Sequence, residues 1–170
     1  MTSWAFEDVT NPWLVRLHVD TALTDRTIVT CPPAEAPAPL DRLLQVKGVR
    51  ALDLQRYRVR LNLEYGISRA AAARTGSAFL RGHWGDPSEL PPKERPRAFQ
   101  VDRRGTRKVA ESLTMAGDDV LLRALFGVDG VAEAVAAEGV VLVTLGRLFR
   151  WADREAAVSG AIASARQAEA

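Results

Sequence analysis

Residues 40–63 read LDRLLQVKGVRALDLQRYRVRLNL, and a second version of this stretch lies at residues 122–145. Laid one over the other, Gly48 falls on Gly130, an offset of 130 − 48 = 82, and Leu40 meets Leu122, Leu43 meets Leu125 and Val46 meets Val128. At the same offset Val49 meets Val131, Val59 meets Val141 and Leu63 meets Leu145. Self-similarity at one fixed spacing marks a repeated structural unit. The expectation is two tandem copies of one small unit, 1–82 and 97–170, with a proline-rich linker at 83–96.

Inside the stretch, Leu40, Leu43 and Leu44 fall three and four apart, which predicts a helix of about two turns, and Gly48 ends it. Val49–Leu54 and Tyr57–Leu63 then read as two strands joined by a tight turn near Gln55 and Arg56. Val59, Leu61 and Leu63 point one way, Arg58, Arg60 and Asn62 the other, so one sheet face is wet.

Working outward, Trp13, Val15, Leu17 and Val19 alternate with Leu14, Arg16, His18 and Asp20 and predict a half-buried strand, Thr21–Asp25 a turn, and Arg26–Cys31, rich in β-branched residues, the returning strand of a hairpin. Pro32, Pro33, Pro37 and Pro39 make a stiff connector. Ser68 caps a helix over Ile67–Leu80 despite Gly76, and His83 falls in the linker as an exposed residue. In the second copy Phe99 and Val101 echo Leu17 and Val19; Arg103–Thr106 is the turn, Lys108–Leu113 the return, Asp118–Phe126 the short helix and Trp151–Ala165 the last one. Val140–Leu145 is apolar on both faces, which predicts a central or covered strand. Each copy reads ββαββα, an α+β fold of two layers with helices on one face of a mainly antiparallel sheet.

The 170 residues are 47% hydrophobic and 26% charged, the composition of an ordinary globular chain, and a net charge of +2 gives no overall field toward nucleic acid or membrane. The single cysteine, Cys31, can form neither an internal disulfide nor a CxxC site. The N-terminal MTSWAFEDVTNPW has no basic region followed by an apolar run, and no apolar segment is long enough to span a bilayer. Cytoplasm, without membrane association, is the expectation.

Thr10-Asn11-Pro12 leads into Val15, Arg16 and Leu17. The second copy carries Leu125, Phe126, Gly130, Val131, Val141, Thr144 and Trp151; the first carries Leu43, Leu44, Gly48, Val49, Leu52 and Val59, with Arg69 where the tryptophan would stand. This pattern resembles the N-terminal domain of the Nfu/NifU scaffold family, present as two tandem copies. The resemblance implies a compact two-layer α+β unit and a link to iron–sulfur cluster assembly and its proteins. The family's cluster-carrying part is a separate domain with a CxxC motif, which this chain does not contain, so cluster transfer does not carry over. No cofactor is evident from the residues; iron or an iron–sulfur cluster enters only by association with the family.

Three residues have ligand chemistry. His18 and Asp20, two apart on a strand, share a face and offer one nitrogen and one oxygen; the same pattern describes a solvated strand face. Cys31 offers a thiolate, and at the end of a β-branched strand it equally reads as a small core hydrophobe, opposite Val15 in the predicted hairpin. Arg56, Arg58 and Arg60 with Tyr57 between them form a basic strand face, the pattern of phosphate contact with base stacking, which a solvated face answered by Asp53 and Glu64 also explains. Arg103, Arg104, Arg107 and Lys108 form a basic turn. Gly48-Val49 and Gly130-Val131 lack the further glycines and lysine of a phosphate loop, and Asp118-Asp119 before a helix reads as capping. No catalytic residue is nominated. The leading expectation is a non-enzymatic scaffold or interaction module accessory to iron–sulfur assembly; the alternative is a small nucleic-acid-binding module using Arg56, Arg58 and Arg60.

Overall fold

A computed structural model of the chain describes residues 1–101, 119–137 and 139–169. The fold is α+β, with antiparallel sheets and helices in two compact units, Met1–Pro91 and Pro92–Ala170. The Arg103–Thr106 turn, the Lys108–Leu113 strand and the basic turn at 103–108 lie outside the described residues. Among the described residues no helix is long and apolar enough to cross a membrane.

The first unit runs β1 (Trp4–Glu7), β2 (Leu14–Val19), α1 (Leu40–Leu43), β3 (Val49–Gln55), β4 (Arg58–Leu63) and α2 (Arg69–Trp84). Its four-stranded sheet has the order β1-β2-β4-β3. The expected hairpin of Trp13–Val19 with Arg26–Cys31 does not form. β2 pairs instead with β1 on one side and β4 on the other, and Arg26–Cys31 meets the far edge of β3 through a single bridge, Ile28 to Leu54. Its β-branched residues suit an extended chain, but which strand they join is a tertiary choice. Trp4, Val15, Leu17, Val19, Leu52, Leu54, Val59 and Leu61 point into one core, where they meet Leu40 and Leu43 of α1 and Ala72 and Leu80 of α2. The opposite sheet face carries Glu7, Arg16, His18, Arg58, Arg60, Asn62 and Asp53.

α1 is a single turn, shorter than expected. α2 begins at Ser68, whose Oγ accepts from the Ala71 N–H at 3.3 Å, and extends past Leu80 to Trp84, so His83 is helical and exposed rather than part of a linker. Gly76 sits closely against Leu43 and Phe6: a Cβ there would lie 3.3 Å from both, so these side chains would have to give by a few tenths of an ångström. The segment expected as a linker is tied down from both ends within the units. Gly85 O accepts from Trp4 Nε1 at 3.0 Å and the Ser88 N–H donates to Trp4 O at 2.7 Å, while Glu94 Oε2 accepts the Trp151 N–H at 2.8 Å and Arg95 O accepts Trp151 Nε1 at 3.0 Å.

The second unit holds β5 (Arg97–Gln100), α3 (Val120–Phe126), β6 (Val131–Ala137), β7 (Val140–Leu145) and α4 (Trp151–Glu169). Its described strands form a sheet of order β5-β7-β6, so β7 is the middle strand; one of its faces is not covered, since Leu142 stays 43% exposed. Asp119 caps α3 by accepting from the Leu122 N–H at 3.1 Å.

The two units share several local features. A register shift lies between Val49 and Ala51 in β3 and between Val131 and Glu133 in β6. The Glu64 N–H donates to Gly48 O and the Gly146 N–H to Gly130 O, both at 2.8 Å. Gly48 and Gly130 have φ of +88° and +99°, where an L side chain is strained, and each lies against a residue between a turn and the following helix, Ile67 and Phe149.

Candidate functional site

The sheet register of the first unit decides which polar side chains meet. Glu7 pairs with Arg16, Arg16 with Arg60 and Arg60 with Asp53, which lays a row of acid, base, base and acid across all four strands. Neighbouring strands are about 4.8 Å apart, so side chains in such a row touch. Beside it runs a second row, Ala5, His18, Arg58 and Gln55. The two ion pairs of the first row are long, Arg16 Nη1 to Glu7 Oε2 at 3.9 Å and Arg60 Nη1 to Asp53 Oδ2 at 3.9 Å. Each acid has a closer partner. Glu7 Oε2 lies 2.6 Å from His18 Nε2, and Asp53 accepts the Thr30 N–H at 2.8 Å and Asn62 Nδ2 at 3.1 Å.

A shallow groove of about 80 Å³ opens on this face, lined by Thr27, Val29, Asp53, Gln55, Arg58 and Arg60. Arg58 Nε donates to Gln55 Oε1 at 2.7 Å, which fixes the guanidinium along the groove wall. Val29 forms an apolar rim and is 72% exposed. At the opposite end of β2 and β4, Trp13 and Tyr65 stack with ring centres 5.3 Å apart and also remain exposed.

The ligand candidates His18, Asp20 and Cys31 do not come together. His18 is on the sheet face away from the helices, as expected, but it is buried and not solvated, because β1 places Glu7 against it. Asp20 Oδ1 accepts the Ser3 N–H at 2.8 Å and so holds the start of β1. Cys31 belongs to the core on the other face; its N–H donates to Leu52 O at 2.7 Å, so β3 and not β2 is its neighbour. Burial pushes the Cys31 thiol above the usual cysteine range, and Glu35 adds to the shift. Such a thiol is a poor thiolate donor. Among the described residues no group of three or more His, Cys, Asp or Glu could hold a metal ion, so these side chains do not fit an iron site.

The basic strand face is reorganised too. Tyr57 is 2% exposed and cannot offer its ring to a base; Arg56 lies in the turn with its guanidinium 5.2 Å from the centre of that ring. Arg58 and Arg60 do share the outer face, and Arg16 joins them from β2. Glu7 escapes a reading of the sequence because β1 is only four residues long, and Arg16 and Val29 because the sequence places Arg26–Cys31 beside β2 where the fold places it beside β3. The alternation of Arg16 with Leu17 was the available signal. Compared with family models, curated proteins and solved structures, the chain matches none of them.

Proposed function

We propose that the chain is a non-enzymatic interaction module that recognises a partner with the outer sheet face of its first unit. The observation that carries this reading is the row Glu7, Arg16, Arg60 and Asp53, a patterned charge surface of the kind that selects partners by electrostatic complementarity. The module resembles a tandem pair of Nfu/NifU N-terminal domains, and an accessory role in iron–sulfur cluster assembly follows from that resemblance. An internal duplication is supported by the matching register shifts, the matching 2.8 Å bonds to Gly48 and Gly130, and the left-handed glycines themselves. The nucleic-acid reading of the same face retains Arg58 and Arg60 for phosphate contact but loses Tyr57 for stacking.

Affinity capture with the full chain from an extract of the source cells, compared with Arg16→Glu plus Arg60→Glu, tests the proposal. The expected result is enrichment of iron–sulfur assembly proteins by the native chain and their loss with the variant. Capture of other proteins, lost with the variant, would remove the assembly role and leave the interaction module; no specific capture by either chain would remove both.

A further inference from the structure

Arg16 and Arg60 stand directly opposite one another on adjacent strands, an arrangement in which like charges weaken a sheet. The acids beside them do not compensate closely, since both ion pairs are 3.9 Å long and both carboxylates have nearer partners. The buried Nε of Arg16 makes no hydrogen bond. Arg60 also lines the groove, whose rim segment bends after Ile28 and holds Thr30 at φ +49°. A β-branched residue rarely takes this conformation, and the Asp53 carboxylate holds it there through the Thr30 N–H. Strain maintained by a specific bond is characteristic of binding sites. Here it leaves Val29 turned outward at the groove.

We propose that this groove and the sheet face beside it bind an extended acidic segment of a partner protein, with a carboxylate seated outside the groove between Arg16 and Arg60 and an apolar side chain of the same segment against Val29. The proposal rests on the interaction-module reading and names the chemistry of its partner. The charge complementarity is direct, because a carboxylate between two guanidinium groups accepts from both and removes their repulsion. The aliphatic rim favours a peptide over a nucleic acid, which would call for an aromatic platform where this site has Val29.

The test is fluorescence anisotropy of the full chain with three labelled probes: a short peptide alternating glutamate with leucine, the same peptide with lysine for glutamate, and an oligothymidylate. The glutamate peptide is expected to bind, the lysine peptide and the oligonucleotide not. Arg16→Gln plus Arg60→Gln is expected to weaken binding at least tenfold without lowering the thermal midpoint, and Val29→Ser to weaken it severalfold. Unchanged affinity in the arginine variant, no binding of the glutamate peptide, or binding of the oligonucleotide alone would each overturn the proposal. If partners captured from extract survive Arg16→Gln plus Arg60→Gln, the acidic segment is excluded while the interaction module stands; if the native chain captures nothing, the module itself fails.

Discussion

Arg16 of β2 and Arg60 of β4 are direct cross-strand neighbours, two positive side chains paired at the centre of one sheet face. An acid at either position would only move the like-charge pair, to Glu7 or to Asp53, within the row Glu7, Arg16, Arg60, Asp53. Like charges directly opposite cost about 0.2–1 kcal/mol, and a loose surface ion pair returns about 0–1 kcal/mol. Arg16→Thr, which keeps a residue suited to strands, is therefore expected to leave stability within about 0.5 kcal/mol of native or to raise it. Urea unfolding at low and at moderate salt checks this: salt should stabilise the native chain more than the variant. A loss well above 1 kcal/mol would assign Arg16 a structural role in place of a binding one.

Glu7 and His18 are the opposite case. Their 2.6 Å contact is part-buried and joins β1 to β2, and His18 has only 4% of its surface exposed. Glu7→Ala withdraws an acceptor from a buried polar group, for which the expected cost is about 1–3 kcal/mol. Glu7→Gln, which retains an acceptor oxygen, should cost less. Chemical denaturation of both variants decides it, and equal, negligible losses would show the contact to be incidental.

The different fates of these residues explain what the sequence disclosed. The glycines, the apolar alternation of β4, the apolar run of β7, and the caps at Ser68 and Asp119 were legible because each depends on a local backbone requirement or a local pattern. The site was less so. β1 is four residues long, too short for its alternation of Trp4 and Phe6 with Ala5 and Glu7 to stand out, yet it buries His18 and supplies the acid beside Arg16. The groove depended on Arg26–Cys31 crossing to β3, and no local pattern in RTIVTC distinguishes β3 from β2 as its neighbour.

Gly48 and Gly130 should respond alike to substitution. A Cβ at Gly48 would lie 2.5 Å from Cγ1 and Cγ2 of Ile67, and one at Gly130 would lie 2.7 Å from Cδ1 of Phe149. The left-handed backbone adds about 1–2 kcal/mol and overpacking about 1–3 kcal/mol to the cost of alanine. Gly48→Ala and Gly130→Ala are each expected to destabilise by about 2–5 kcal/mol on those two terms together. Trimming the neighbour, as Ile67→Ala in the Gly48→Ala background, should cost less than the same change in the native chain. Additive losses in that cycle would show that backbone strain alone decides the position.

Cys31 gives a prediction in pH. Its thiol is buried, accepted by Pro32 O at 3.4 Å, and holds its proton beyond the usual cysteine range because burial penalises the thiolate and the Glu35 carboxylate repels it. The folded state thus retains a proton that the unfolded state releases near pH 8.5, the ordinary value of about 8.5 for a cysteine. Where the folded state binds more protons, stability falls as pH rises. The contribution of Cys31 is fully present below the unfolded-state value and is lost as pH climbs from there through the folded-state value. Urea unfolding between about pH 7.5 and pH 10, with the native chain compared with Cys31→Val, isolates the group because only the native chain carries this titration. The difference should be constant at the lower end and turn against the native chain at the upper end. Alkylation should agree, slow on the folded protein and fast in urea, because the thiolate is the nucleophile and folding suppresses both its formation and its access. Rapid labelling of folded protein near pH 8 would contradict the buried, protonated thiol, and with it the assignment of Cys31 to the core.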